Sequence, residues 1–176
     1  MSAPHSFAQS DHQLARLAPR PLAVCAATLV LALDQLSKWV VSHPLALPQR
    51  REIPLIPIFG LRWQENRGVS MSFLWANDEI GRWLLVGLTG LICLGVAVWL
   101  CREKRRHHVV ALAFILGGAL GNILDRIRHG FVVDFADLHI GQWRPFNIFN
   151  LADVAITIGV LLLFALGLPT RGQKTV

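Results

Sequence analysis

The fold class predicted here is an all-α membrane protein, with four transmembrane helices and a small β-containing cap on one membrane face. Three observations predict it. Of 176 residues, 53% are hydrophobic and 16% charged, too little polar surface for a water-soluble chain of this length. The apolar residues fall into four blocks, at about 21–41, 83–100, 109–127 and 149–168, each near the ~20 residues a helix needs to cross ~30 Å of hydrocarbon. The cations gather at the ends of these blocks, where lipid head groups lie. No room remains for a second domain of ordinary size, so 21–168 is read as one four-helix domain between terminal tails at 1–20 and 169–176.

The first block does not read as a cleaved signal peptide. Twenty mostly polar residues precede it, and it contains Asp34 and Lys38. Cys25 follows Val24 where a lipidation box wants a small residue, so it is read as a buried apolar side chain. With Cys93 and Cys101 the cysteines are odd in number and mostly intramembrane, which argues against a disulfide framework or a zinc site. The formal charge of +6 is read as membrane contact, not nucleic-acid binding. Arg102, Lys104, Arg105 and Arg106 crowd the short connection between the second and third blocks. Arg16 and Arg20 precede the first block, and Arg171 and Lys174 follow the fourth. Four crossings put these sets on one side, which the positive-inside rule makes cytoplasmic, with both termini there. Arg50, Arg51, Arg62, Arg67, Arg128 and Arg144 lie on the other side, so the density of the short loop decides the orientation.

The connection at 42–81 is too long for a hairpin. Ile53, Leu55, Phe59, Leu61 and Trp63 recur in it with period two, interrupted by Pro54 and Pro57, which predicts one or two short edge strands. The connection at 128–148 lies on the same outer side, and 131–135 is again strand-like. Trp39, Trp75, Trp83, Trp99 and Trp143 fall near expected interfaces. Gly117, Gly118 and Gly121 in the third block permit close helix packing.

Polar groups at membrane depth are costly and each needs a reason. Asp34 and Lys38 share a helical face; the plain reading is an ion pair whose lysine snorkels to the outer interface, the other a role beside a substrate. Asn122, Asp125 and Arg126 share a face near the outer end of the third block, able to bond the outer loops or a peptide backbone. Asn150 and Asp153 open the fourth block as a capping box with Asp in place of Glu or Gln. Asp134 sits between Val133 and Phe135, poor surroundings for a solvated loop charge. Asp125, Asp134 and Asp153 thus converge on the outer interface. Two close carboxylates share a proton and split their titrations, and such a pair can hydrolyse a peptide: the ionised member takes a proton from water, the protonated one bonds the scissile carbonyl. The positive helix end favours Asp153 as the ionised member. Spacing leaves open which two of the three aspartates pair. No HExxH zinc motif or phosphate loop is present. Ser70 and Ser72 lack a convincing histidine base, and His107 and His108 fall in the cytoplasmic loop.

Asp34-Gln35-Leu36-Ser37-Lys38, Asn66-Arg67-Gly68, Gly121-Asn122-Ile123-Leu124-Asp125-Arg126, Val133-Asp134-Phe135 and Phe149-Asn150-Leu151-Ala152-Asp153, in that order, resemble the bacterial lipoprotein signal peptidases (signal peptidase II) over residues 20–168. The resemblance implies an aspartic endopeptidase of the bacterial inner membrane, cutting diacylglyceryl-modified prolipoproteins just before the lipobox cysteine. It places the catalytic pair on Asp134 and Asp153. Asn122, Arg126 and Asn150 match substrate-binding residues, where globomycin-type inhibitors are also expected. Asp34, Lys38, Asn66, Gly68 and Asp125 match positions that support the site. The family commonly follows Asn-x-Gly with a small residue and an aromatic, where this chain has Ser70 and Met71. No cofactor or metal is expected, and the partners are prolipoprotein and membrane lipid, with the chain working as a monomer. A small transporter or assembly factor with buried aspartates is the rival reading.

Overall fold

The computed structural model describes residues 19–68, 79–141 and 143–167; the expectations for the tails and for Ser70, Met71, Ser72 and Trp75 lie outside these. The first helix, α1 (Pro19–Ser42), opens with prolines in its first turn, where a missing N–H is harmless, and stops before Pro44, whose ring disfavours a helical His43. A single helical turn, α2 (Leu47–Arg50), follows. It is flanked by Ala46 and Arg51 in positive-φ conformations (49° and 67°), a sharp bend not anticipated from the sequence. The bend seats Leu47, wholly buried, against Val41 and Val133.

Strands β1 (Glu52–Ile56) and β2 (Phe59–Asn66) form a hairpin, and β3 (Val132–Leu138) adds antiparallel to β2, giving the order β1-β2-β3. The long connection, expected to hold one or two edge strands, holds two, but only β1 is an edge: β3 covers the other side of β2. Pro54 is tolerated because β1 is the sheet edge. Ile53, Leu61 and Trp63 turn onto the Leu47 cluster as their period requires, whereas Leu55 is left uncovered.

Helix α3 (Glu79–Arg102) packs on α4 (Arg106–His129), and α4 also holds α1 and α5 (Leu151–Gly167). Helices α3 and α4 outrun their apolar blocks by two to four residues at each end, because polar residues such as Glu79 and His129 still fit terminal turns. The helices α1, α3 and α4 are long and apolar enough to cross a membrane, while α5, at 17 residues, is shorter. It starts at Leu151 rather than 149 because Phe149 is drawn into a bridge with Ala136.

The glycines of α4 explain its central place. A Cβ on Gly117 would stand 2.5 Å from the Ala27 carbonyl of α1, one on Gly118 2.5 Å from the Ala152 carbonyl of α5, and one on Gly121 2.5 Å from Asp34 Oδ2. Backbones on two sides thus approach α4 more closely than any side chain would allow. Cys25, read as buried, is exposed on α1; among the described residues no other helix covers it, so it faces away from the bundle. Trp39, Trp83, Trp99 and Trp143 are all about half exposed or more, as residues facing an interface would be.

Candidate active site

The polar residues of the three glycine-packed helices and β3 meet at the sheet-bearing end of the bundle. Asn150 caps α5: its Oδ1 accepts the Asp153 N–H (3.0 Å), and Asp153 Oδ2 accepts the Asn150 N–H (3.2 Å). The expected capping box is therefore real, and it leaves the Asn150 amide free to do more. Its Nδ2 donates to Asp134 Oδ1 (2.7 Å) and to Asn122 Oδ1 (3.1 Å). Asn122 Nδ2 in turn donates to Asp153 Oδ1 (2.9 Å). One asparagine thus touches both carboxylates and a second one closes the ring.

Asp134 is buried in β3 while Asp153 is half-buried. The second Asp134 oxygen accepts Asn66 Nδ2 (2.9 Å), and Asn66 Oδ1 accepts the Gly68 N–H (3.0 Å). This turn needs Gly68: its φ is 94°, and a Cβ would run into Leu85. Burial, reinforced by the charge of Asp153, pushes the Asp134 carboxyl up to about 6, against the hydrogen bonds of Asn66 and Asn150 that favour the ionised form. The charge of Arg126 attracts Asp153, Asp134 and Asp125. Its Nη1 makes a long bond to the Asn122 carbonyl (3.4 Å). Its buried Nε has no hydrogen-bond partner among the described residues.

Asp125 belongs to a different cluster. Lys38 Nζ lies 2.8 Å from both Asp34 Oδ2 and Asp125 Oδ2 and donates to Asn122 Oδ1 (3.2 Å). The lysine is only 4% exposed, so the expected snorkelling does not occur: with three acceptors around it, the ammonium has no need of water. Asp34 Oδ1 accepts the N–H of Ala152 in the first turn of α5 (3.0 Å), and Asp125 Oδ2 accepts that of Val133, next to Asp134 (3.1 Å). These groups form a brace that fixes α5 and β3, the elements bearing Asp153 and Asp134. Asn122 and Asp125 share a helix side, but Asp125 belongs to the brace alone, whereas Asn122 links the brace, through Lys38, to Asn150 and Asp153.

Two participants were missed in the sequence. Gln35 Nε2 donates to Asp125 Oδ1 (2.9 Å) and Asp34 Oδ2 (3.2 Å); an amide at membrane depth beside Asp34 was the signal. Asp137, 2% exposed, accepts Arg144 Nε and Nη2 (3.0 and 3.2 Å), which pins the connection between β3 and α5 back onto β3. Its position between Ala136 and Leu138 carried the same cue as Asp134. His107 and His108 sit at the far end of α4, about 20 Å from Asn122 by helix rise.

Fold and site together define a helical membrane protein with paired carboxylates held by asparagines at one end of its bundle. The family model described as "Signal peptidase (SPase) II" matches residues 26–168. The chain belongs to the signal peptidase II family and is an aspartic-type peptidase. It is 53% identical over 160 residues to the lipoprotein signal peptidase of Rhizorhabdus wittichii, covering 91% of this chain and 93% of that one. Against that of Sphingopyxis alaskensis the identity is 54% over 148 residues (84% and 85% covered), and against that of Escherichia coli 40% over 149 (83% and 89%). Two solved structures of a bacterial membrane enzyme, obtained by the in meso method, superpose with TM-scores of 0.71 and 0.73 at 26% identity. They cover 88% and 84% of this chain and 93% of each of theirs. The transporter or assembly-factor reading is not favoured.

Proposed function

We propose that Asp134 and Asp153 are the catalytic pair with which this peptidase removes signal peptides from prolipoproteins, cutting just before the lipid-modified cysteine. The relatives' shared activity supports the substrate class. The observation that carries the residue assignment is Asn150, whose side-chain amide holds Asp134 while its backbone N–H holds Asp153. A site so tied favours one proton shared between two roles. Asp153, half-buried at the positive end of α5, takes a proton from the attacking water. Asp134, whose burial favours the neutral form, donates its proton to the scissile carbonyl oxygen as the water oxygen bonds to carbon. As the resulting gem-diol collapses, one of its hydroxyl protons returns to Asp134, the C–N bond breaks, and the proton held by Asp153 passes to the leaving amine of the cysteine, which restores the pair. Asn122, Arg126 and Asn150 hold the peptide backbone, the unpaired Arg126 Nε supplying one donor. Asp34, Lys38 and Asp125 keep α5 and β3 in place, and Asn66 with Gly68 orients Asp134.

In this reading α5 is the fourth crossing, both termini are cytoplasmic and the site faces the periplasm at the inner membrane. The test replaces each aspartate separately: Asp134→Asn and Asp153→Asn should remain folded and extractable and lose cleavage of a lipidated prolipoprotein, followed by mass, by several orders of magnitude. Near-normal turnover in either variant would sink the pair. Asp125→Asn should act instead through stability and substrate placement.

A further inference from the structure

A concavity lies beside the Lys38 brace, between the sheet-bearing ends of α1 and α4. It is a cleft of about 450 Å³ whose back wall is Gln35, Lys38 and Asp125, and neither Asp134 nor Asp153 lines it. Trp39, His43, Arg128, His129 and Phe131 surround the mouth. We propose that this cleft binds the phosphate head group of a membrane phospholipid.

Charge is the first support. Arg128 is exposed, and its one hydrogen bond among the described residues is a long one, Nη1 to Gln35 Oε1 at 3.4 Å. A guanidinium without a carboxylate partner, at a cleft mouth, matches phosphate oxygens in geometry as well as sign. His129 lies beside it, its ring tilted against Phe131 (centroids 6.0 Å apart), while His43, whose Nδ1 bonds the Trp39 carbonyl (3.2 Å), stacks on Trp39 (5.8 Å). The acid at the back does not oppose this, because both Asp125 oxygens are occupied: Oδ1 by Gln35, Oδ2 by Lys38 and the Val133 N–H.

The apolar surface running away from the mouth identifies the rest of the ligand. His43 and Trp39 continue a line on α1 through Leu36, Leu33 and Leu29, at helical steps of three and four. These leucines are 55%, 46% and 59% exposed, so no other helix covers them. A head group in the cleft would therefore lie directly above a path for its own acyl chain. The site also has a route to the chemistry: Arg128 bonds Gln35, Gln35 bonds Asp125, and Asp125 holds the backbone of Val133 beside Asp134. Occupancy would stiffen that chain of contacts.

The experiment needs no substrate and so is independent of the proteolytic assignment. Full-length protein in maltoside micelles is titrated with phosphatidylglycerol, and lipid retention is read by native mass spectrometry, with the thermal midpoint measured in parallel. The wild type should retain one phospholipid and melt higher with it. Arg128→Ala should lower retention several-fold, Arg128→Lys should restore part of it, and Arg102→Ala at the far end of the bundle should change nothing. Diacylglycerol, which has the chains without the phosphate, should not be retained. Equal retention by wild type and Arg128→Ala would overturn the proposal, as would equal retention of diacylglycerol. So would displacement of the lipid by millimolar inorganic phosphate without regard to chain length, which would mean a free-anion site. Unchanged lipid retention together with Arg128-dependent binding of an unlipidated peptide would assign the cleft to polypeptide instead. Should Arg128→Ala fail to fold, the lysine variant and the diacylglycerol comparison still decide.

Discussion

At the scale of single residues, Asn150 is both a helix cap and the link between the two carboxylates, and the two roles can be separated. Asn150→Ser keeps an oxygen able to cap α5, so the helix start should be preserved within about 1 kcal/mol. It removes the amide that reaches Asp134 Oδ1, a hydrogen bond to a charged or shared-proton group worth roughly 1.5–3 kcal/mol. Activity per folded molecule should then fall about 10- to 100-fold, beyond whatever the lost bonds to Asp134 and Asn122 take from the melting midpoint; a lower midpoint with activity per folded molecule intact would return Asn150 to a structural role alone. Asp134 carries a second expectation. Its folded value of about 6 lies above the roughly 3.9 of an unfolded aspartate, so the fold prefers its protonated form. That preference contributes fully below about pH 4 and is lost as pH rises through about 6. Relative to wild type, Asp134→Asn should therefore gain stability between pH 4 and pH 8, a change in the difference between their thermal midpoints and not merely a fixed offset. If Asp134 must donate a proton, kcat/KM should also fall as pH rises through about 6, and Asn66→Ala, removing a donor that favours the ionised form, should move that fall upward. A limb that stays put would mean Asn66 does not set the Asp134 proton.

At the scale of elements, the site exists because α4 lets two backbones come close. Gly118→Ala would push a methyl against the Ala152 carbonyl and the Ile156 side chain, and Gly121→Ala against the Asp34 carboxylate. Overpacking of this kind costs about 1–3 kcal/mol, and at Gly118 the displaced element is α5, which carries Asp153. Both variants should melt lower in detergent, and Gly118→Ala should lose activity beyond its loss of folded protein, whereas Gly87→Ala in α3, where nothing lies within 4 Å of the added Cβ, should do neither. Equal behaviour of Gly118→Ala and Gly87→Ala would refute the close-approach account. The helices themselves were legible because apolar runs of span length have few other uses, and the strands because Ile53, Leu61 and Trp63 kept their period across prolines. The turn at Leu47–Arg50 was not legible: its bend rests on positive φ at Ala46 and Arg51, residues that do not advertise it as glycine would. Lys38 was misread because snorkelling is the local choice for a lysine near a helix end, and only the fold brings Asp125, 87 positions along the chain, within reach. For the same reason spacing left three aspartates as candidates, and Asp125 separates from the other two only when the brace closes.

At the scale of the whole molecule, the question is how a substrate reaches a site at one end of a bundle whose outer surfaces are apolar. Leu84, Leu88 and Leu91 on α3 and Leu161 and Phe164 on α5 are all more than half exposed, so the elements around the site offer hydrocarbon-like surface, which suits a partner diffusing in the bilayer. Orientation is the first requirement. Cysteines introduced at Gln49 and Lys104, in a chain lacking Cys25, Cys93 and Cys101, should label from opposite faces in intact cells, only the first with an impermeant thiol reagent; the reverse result would put the aspartates on the cytoplasmic side, away from exported precursors. Lipid on the substrate is the second. A diacylglyceryl group adds roughly 0.8 kcal/mol of membrane affinity per buried methylene, enough to hold a modified cysteine at interface depth without any recognition sequence. If Asp134 and Asp153 are the catalytic pair, as proposed, that would place the preceding peptide bond level with them, the loss of translational freedom being met by the chains rather than by contacts at the scissile bond. In the proposed reading Asn122, Arg126 and Asn150 need only grip backbone, which fits their amide and guanidinium chemistry. The same precursor with and without its lipid, at matched concentration in micelles, should be cut readily in the first case and very slowly or not at all in the second. Arg126→Ala should slow the lipidated form by removing the unpaired donor. Equal rates for the two precursors would mean that the lipid is not the recognition element, and the site would have to be reassigned to a broader intramembrane peptidase.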